Sequence, residues 1–139
     1  MITTARWLID KSALRVDIPA VQEKLTPRVA RGLIGICIVT ELEVGYSARS
    51  TSDYHQVRTE VISDLVPVMI PAAAERRARL VQEELVARGQ HRAVSIPDLL
   101  VAAVAEAEDL TVLHYDKDFD LVAQITGQPT EWVISPGTI

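Results

Sequence analysis

The feature that most constrains this chain is an alternation: short runs rich in β-branched residues recur between longer stretches of helical periodicity. Residues 6–10 read as a first strand, followed by helical sequence to about residue 31, with Pro19 well placed at a helix start. Residues 33–38 read as a second strand, and 40–49 and 53–65 as helices. In the second of these, Tyr54, Val57, Val61 and Leu65 form a stripe at helical spacing. Residues 66–70 make a third strand, bounded by Pro67 and Pro71. A helix over 72–90 would bury Ala74, Ala78, Val81 and Leu85, and Pro97 opens a further helix to 109. Residues 110–114 read as a fourth strand, 117–126 as a helix and 131–134 as a fifth strand. Such alternation predicts parallel strands with helices on both faces. The strands are nearly continuous apolar runs, as doubly covered strands should be. The predicted fold class is α/β, a three-layer α/β/α sandwich around a central, mainly parallel sheet of about five strands.

Composition narrows the function classes. The chain has 139 residues, 48% of them hydrophobic and 24% charged. That is close to one domain's worth of sequence, so a single domain over 1–139 is expected, with a proper core. Disorder and coiled coil are excluded. The longest apolar runs, 33–39 and 99–105, fall well short of the roughly 20 residues of a membrane span. Near the start, the only apolar stretch is Trp7-Leu8-Ile9 with Asp10 directly behind it, so no signal peptide is expected. The lone cysteine, Cys37, rules out an intrachain disulfide and a cysteine-based zinc site. We therefore expect a cytoplasmic protein without membrane association. The net charge of −5, from 14 Lys+Arg against 19 Asp+Glu, argues against a simple basic nucleic-acid binder. Too few aromatic residues are present to make a stacking platform for single strands. Two classes remain: an enzyme with an acidic site, and a protein-binding module.

In open parallel sheets, ligands bind beyond the carboxyl ends of the strands. Asp10 closes the first predicted strand, with Ser12 two residues on. Glu41 lies in the first turn after the second strand, Asp98 directly after the helix-opening Pro97, and Asp116 after the fourth strand, with Asp118 and Asp120 close behind. Singly, each acid is a common feature of a helix N-terminus, where it complements the dipole. Together, Asp10, Glu41, Asp98 and Asp116 would converge from distant parts of the chain on one sheet edge. Clustered carboxylates repel unless a cation is present, and hard oxygen ligands select Mg²⁺ or Mn²⁺. Bound divalent ions would cancel the local charge and invite a phosphodiester.

Four strings in order, WLIDKSAL (7–14), VTELEVGYSAR (39–49), IPDLLVAAVAE (96–106) and VLHYDKDFD (112–120), resemble a PIN domain. More narrowly, they are similar to the VapC-type toxins of bacterial toxin–antitoxin pairs. The resemblance implies a metal-dependent endoribonuclease of this fold and a homodimer. It further implies inhibition by a cognate VapB-type antitoxin whose tail enters the active site, in a heterotetramer or larger assembly. Carried over by residue, the family's acidic quartet falls on Asp10, Glu41, Asp98 and Asp116, with Asp10, Asp98 and Asp116 as metal ligands. Ser12 and Thr40 match supporting hydroxyl residues, and Asp118 a frequent additional acid. Glu43 and Asp120 are left outside the quartet, because Glu43 projects from a different side of its helix than Glu41.

The mechanism expected is hydrolysis of an RNA phosphodiester by metal-activated water, with no protein nucleophile, leaving a 5′-phosphate and a 3′-hydroxyl. Arg88 and Arg92, in a small basic segment before the Asp98 helix, are candidate contacts for RNA phosphate or an antitoxin carboxylate. His55, His91 and His114 read as surface or packed histidines rather than general bases, and Trp7 and Trp132 as core. A phosphotransfer receiver would need paired acids after the first strand and an aspartate after the third; this chain has Asp10 alone and Pro71-Ala72-Ala73. A haloacid-dehalogenase-like phosphatase would need an aspartate where Ser12 stands. The alternative from another class is a catalytically silent PIN-like scaffold acting through a partner protein; a lapsed site has no reason to keep four repelling charges.

Overall fold

The computed structural model of the chain describes residues 4–139. Five strands form one parallel sheet: β1 (Trp7–Ile9), β2 (Ile34–Ile36), β3 (Val66–Pro67), β4 (Thr111–His114) and β5 (Thr130–Trp132), in the order β3-β2-β1-β4-β5. Six α-helices connect them: α1 (Pro19–Ala30), α2 (Ile38–Tyr46), α3 (Thr51–Glu60), α4 (Ala72–Ala87), α5 (Ile96–Ala107) and α6 (Asp118–Thr126).

Strand residues alternate between two cores, as a period of two requires. Leu8 and Val112 face a layer built from α4, α5 and α6, including Ala74, Ala78, Val81, Leu85, Val101 and Phe119. Ile9, Ile34, Ile36 and Leu113 face the opposite layer, with Val21 and Leu25 of α1 and partly buried Val57 of α3. The three-layer α/β/α expectation is met, with all four strand pairings parallel. Gly35 sits between Ile34 and Ile36, on the α4–α5 side, where Val68 Cγ2 lies 2.6 Å from the position a Cβ would take. The sheet therefore closes over Val68 only because residue 35 lacks a side chain.

Element boundaries differ from expectation in places. The second strand ends at Ile36, because α2 already begins at Ile38 and stops at Tyr46, before residue 49. The expected helix over 53–65 ends at Glu60, and a separate 3-10 turn (Ile62–Asp64) buries Ile62 beneath the sheet. Its stripe is buried only toward the end: Leu65 is buried, whereas Tyr54 is exposed. The third strand is two residues long, ending at Pro67, although the Val68 amide still donates to the Ile36 carbonyl at 2.9 Å. The fifth spans Thr130–Trp132 rather than 131–134.

The chain winds outward from β1 to β2 and β3, then returns to place β4 on the other side of β1. The reversal sets the carboxyl ends of β1 and β4 side by side, the position where open α/β sheets bind ligands. Among the described residues, no helix is long and apolar enough to cross a membrane.

Candidate acidic active site

Asp10 follows β1 directly and caps a 3-10 turn (Lys11–Ala13) with its side chain. Its Oδ2 accepts from the Ser12 amide (3.0 Å) and the Ser12 hydroxyl (2.6 Å). Ser12 Oγ in turn accepts from the Tyr115 amide at 2.9 Å, joining the ends of β1 and β4. Asp10 is only 2% exposed, and its Oδ1 is buried with no hydrogen-bond partner. Burial raises its pKa, as does Asp116 nearby, against the lowering effect of Ser12.

Asp98 enters from the first turn of α5. Ser95 caps that helix by accepting from the Asp98 amide (3.2 Å). In the usual reciprocal arrangement the third helical side chain would reach back to the cap's own N–H. Here that N–H donates instead to Asp118 Oδ2 at 3.2 Å. Asp98, 6% exposed, is pushed up to about 9 by burial first and by its acidic neighbours second.

Asp116 lies in the turn from β4 to α6. Its Oδ1 accepts from the Asp118 amide (2.9 Å), and its own amide donates to His114 Nδ1 (3.1 Å). Carboxylate oxygens of Asp98, Asp116 and Asp118 all come within 4.8 Å of one another. The structure thus brings together Asp10, Asp98 and Asp116 of the expected quartet and draws Asp118 fully into the cluster. Thr40 is buried and donates from Oγ1 to the Ile9 carbonyl at 3.1 Å, pinning α2 to the end of β1.

Glu41 is placed differently. Its carboxylate pairs with Arg58 of α3 (3.4 Å), in a cleft that Lys11, Val44, Tyr54 and Val57 also line. Glu43 instead lies near Asp10: its Oε1 is buried without a partner, and its pKa is raised by burial and then by Asp10, against Lys11. The reason is helical phase. Thr40 marks the face of α2 that meets β1, and Glu43 lies three residues on, along that face. Glu41 lies one residue on from Thr40, about 100° round toward α3. The fit to a hard divalent cation rests on these atoms: several carboxyl oxygens converge, and two buried ones, on Asp10 and Glu43, lack any protein donor.

The remaining candidates sit at the periphery. Arg88 pairs with Glu84 across one turn of α4 (3.1 Å), and Arg92 is exposed in the turn leading to α5. Asp120 Oδ1 accepts from Trp132 Nε1 (3.3 Å), outside the cluster. His114 is fully buried, and burial lowers its pKa, so its ring is neutral.

Comparison with known proteins gives a consistent result. A family model described as PIN domain matches residues 7–125. Ribonuclease VapC21 of Mycobacterium tuberculosis is 48% identical over 136 residues, covering 97% of this chain and 99% of that protein. Ribonuclease VapC51 of the same organism is 42% identical over 135 residues, covering 96% and 97%. Among solved structures, a DNA-bound VapBC from Salmonella typhimurium superposes with a TM-score of 0.76 at 18% identity, covering 94% of this chain and 99% of that one. VapBC2 from Rickettsia felis, bound to a promoter DNA fragment, gives 0.75 at 17%, covering 91% and 98%. At those identities the structural matches speak to the fold.

Proposed function

Since the chain belongs to the PIN-domain family, we propose that it is a divalent-metal-dependent endoribonuclease, the toxin of a toxin–antitoxin pair. The observation that carries this reading is the convergence of Asp98, Asp116 and Asp118, from two separated segments, beside buried Asp10 and half-buried Glu43. We assign Asp98, Asp116 and Asp118 as the residues that would hold the cation, Mg²⁺ or Mn²⁺, and Asp10 and Glu43 as the acids that complete its surroundings. Glu43 thereby takes the role that the sequence motif gives to Glu41. A cation bound there supplies Lewis-acid chemistry, acidifying water and offsetting phosphate charge.

The protein's own contribution is preorganisation. Ser12 fixes one oxygen of Asp10 and leaves the other free of protein donors. Ser95 and Asp118 together hold the first turn of α5, so that Asp98 keeps its carboxyl at the cluster. The hydroxyls beside these acids are already engaged, Ser12 Oγ between Asp10 and the Tyr115 amide and Ser95 Oγ on the Asp98 amide, so water rather than a side chain is the nucleophile and the 3′ oxygen leaves without a covalent enzyme intermediate. The products then carry a 5′-phosphate and a 3′-hydroxyl. Ligation and kinase assays on cleaved RNA check this; 2′,3′-cyclic phosphate ends would overturn the hydrolytic route.

The protein works in the cytoplasm, as a homodimer, restrained by a VapB-type antitoxin, and Arg88 and Arg92 are assigned to contact RNA or that antitoxin. Support for an assembled state comes from α2, where Ile38, Leu42 and Tyr46 form an exposed apolar stripe, Leu42 at 66% and Tyr46 at 92% exposure.

A further inference from the structure

Four backbone N–H groups form a connected series through the acidic cluster. The Asp98 amide donates to Ser95 Oγ, the Ser95 amide to Asp118 Oδ2, the Asp118 amide to Asp116 Oδ1, and the Asp116 amide to His114 Nδ1. Each step fixes the residue that accepts the one before, and the series ends on an imidazole. That imidazole is itself immobile. It is 0% exposed and packed between Phe119 and Trp132, with both ring centroids 4.9 Å away. Trp132 is held in turn by its bond to Asp120 and by an edge contact with Tyr115 at 5.3 Å.

A slot between two aromatic rings calls for a flat apolar side chain, and phenylalanine would fill it. Histidine brings something phenylalanine lacks, a lone pair on Nδ1 that accepts the Asp116 amide. It also brings a liability: with Nδ1 accepting, the proton sits on Nε2, which is buried without a partner. A residue kept for packing alone would not leave a donor unmet in the core. We propose that His114 is a positioning residue, whose Nδ1 anchors the Asp116 amide and through it sets the pose of Asp116, Asp118 and Asp98. This rests on the reading of those acids as cation-holding residues.

Two substitutions separate positioning from packing. His114→Phe keeps the flat filler and removes the acceptor; His114→Asn puts an amide oxygen near the Nδ1 position and sacrifices ring packing. Thermal melting and Mn²⁺ titration without RNA, followed by electron paramagnetic resonance, are read on both. His114→Phe should melt close to the wild type yet bind Mn²⁺ at least about tenfold more weakly, whereas His114→Asn should melt lower yet stay within about threefold of wild-type affinity. Wild-type affinity in His114→Phe, or affinity that tracks melting temperature in both variants, overturns the proposal. If His114→Phe does not fold, His114→Asn decides alone, and a tenfold loss there is contradictory. Through-hydrogen-bond coupling between the Asp116 amide and His114 Nδ1 is measured by NMR on the metal-free protein. Coupling present with no Mn²⁺ uptake by the wild type overturns the cation reading, and the role of His114 with it. Coupling absent while Mn²⁺ binds overturns the role of His114 alone.

Discussion

Glu41 and Glu43 share a helix and differ in everything around them. One is paired with Arg58 over a cleft; the other points a buried, unpartnered oxygen toward Asp10. Replacing Glu43 by Gln should therefore lower single-turnover RNA cleavage by about 100-fold, while Glu41→Gln stays within about threefold. Equal losses in the two variants would contradict the assignment. Sequence made the aspartates legible because each stands at a strand or helix end, where position alone aims the side chain. It could not do so for the glutamates, since two residues of one helix are told apart only by knowing which face meets the sheet. The usable signal was Thr40, three residues before Glu43, but its burial depends on a contact with the Ile9 carbonyl that no local pattern announces. The sequence leaves His114 as either a surface or a packed histidine; it is packed, and its bond to the Asp116 amide belongs to tertiary geometry.

At the scale of elements, strand–helix alternation was strong enough to reveal every strand and helix, because apolar runs and proline positions are local properties. Their ends were less legible where tertiary contacts decide: β3 stops at Pro67, and α3 gives way to a 3-10 turn that buries Ile62. Gly35 shows the same limit. It reads as a mere break in the run over 33–39, yet its missing side chain is what admits Val68 between β2 and the α4–α5 layer. Gly35→Ala should destabilise the fold by about 1–3 kcal/mol through overpacking, with Val68 and the Trp7 carbonyl as the obstructing atoms. Denaturant melts measure this. A Gly35→Ala protein as stable as the wild type would mean that β3 shifts freely, against the close packing described.

For the molecule as a whole, gathering the acids at the reversal between β1 and β4 sets stability against function. Asp98 is pushed up to about 9, and Asp10 and Glu43 are raised as well, mainly by burial. An acid whose pKa is higher folded than unfolded makes the native state the stronger proton binder. Its stabilising proton is fully present below the unfolded value near 4 and is lost as pH rises toward the folded value. Metal-free protein should therefore melt at progressively lower temperature from about pH 5 to pH 9, and Asp98→Asn should flatten that slope and raise the melting point at pH 8 by several degrees. A melting point rising with pH across this window would contradict the assigned burial. Mg²⁺ or Mn²⁺, which binds the ionised carboxylates, should offset the loss.

Whether these acids form a metal-dependent ribonuclease site is decided by incubating partner-free protein with total bacterial RNA and Mg²⁺ or Mn²⁺. Parallel reactions contain EDTA or the Asp98→Asn variant. Discrete cleavage should appear with the wild type and disappear in both controls, with Asp98→Asn folded and melting higher than the wild type in EDTA. Cleavage that survives both controls, or its absence from folded, metal-supplied wild type, would contradict a metal-dependent ribonuclease site at these acids.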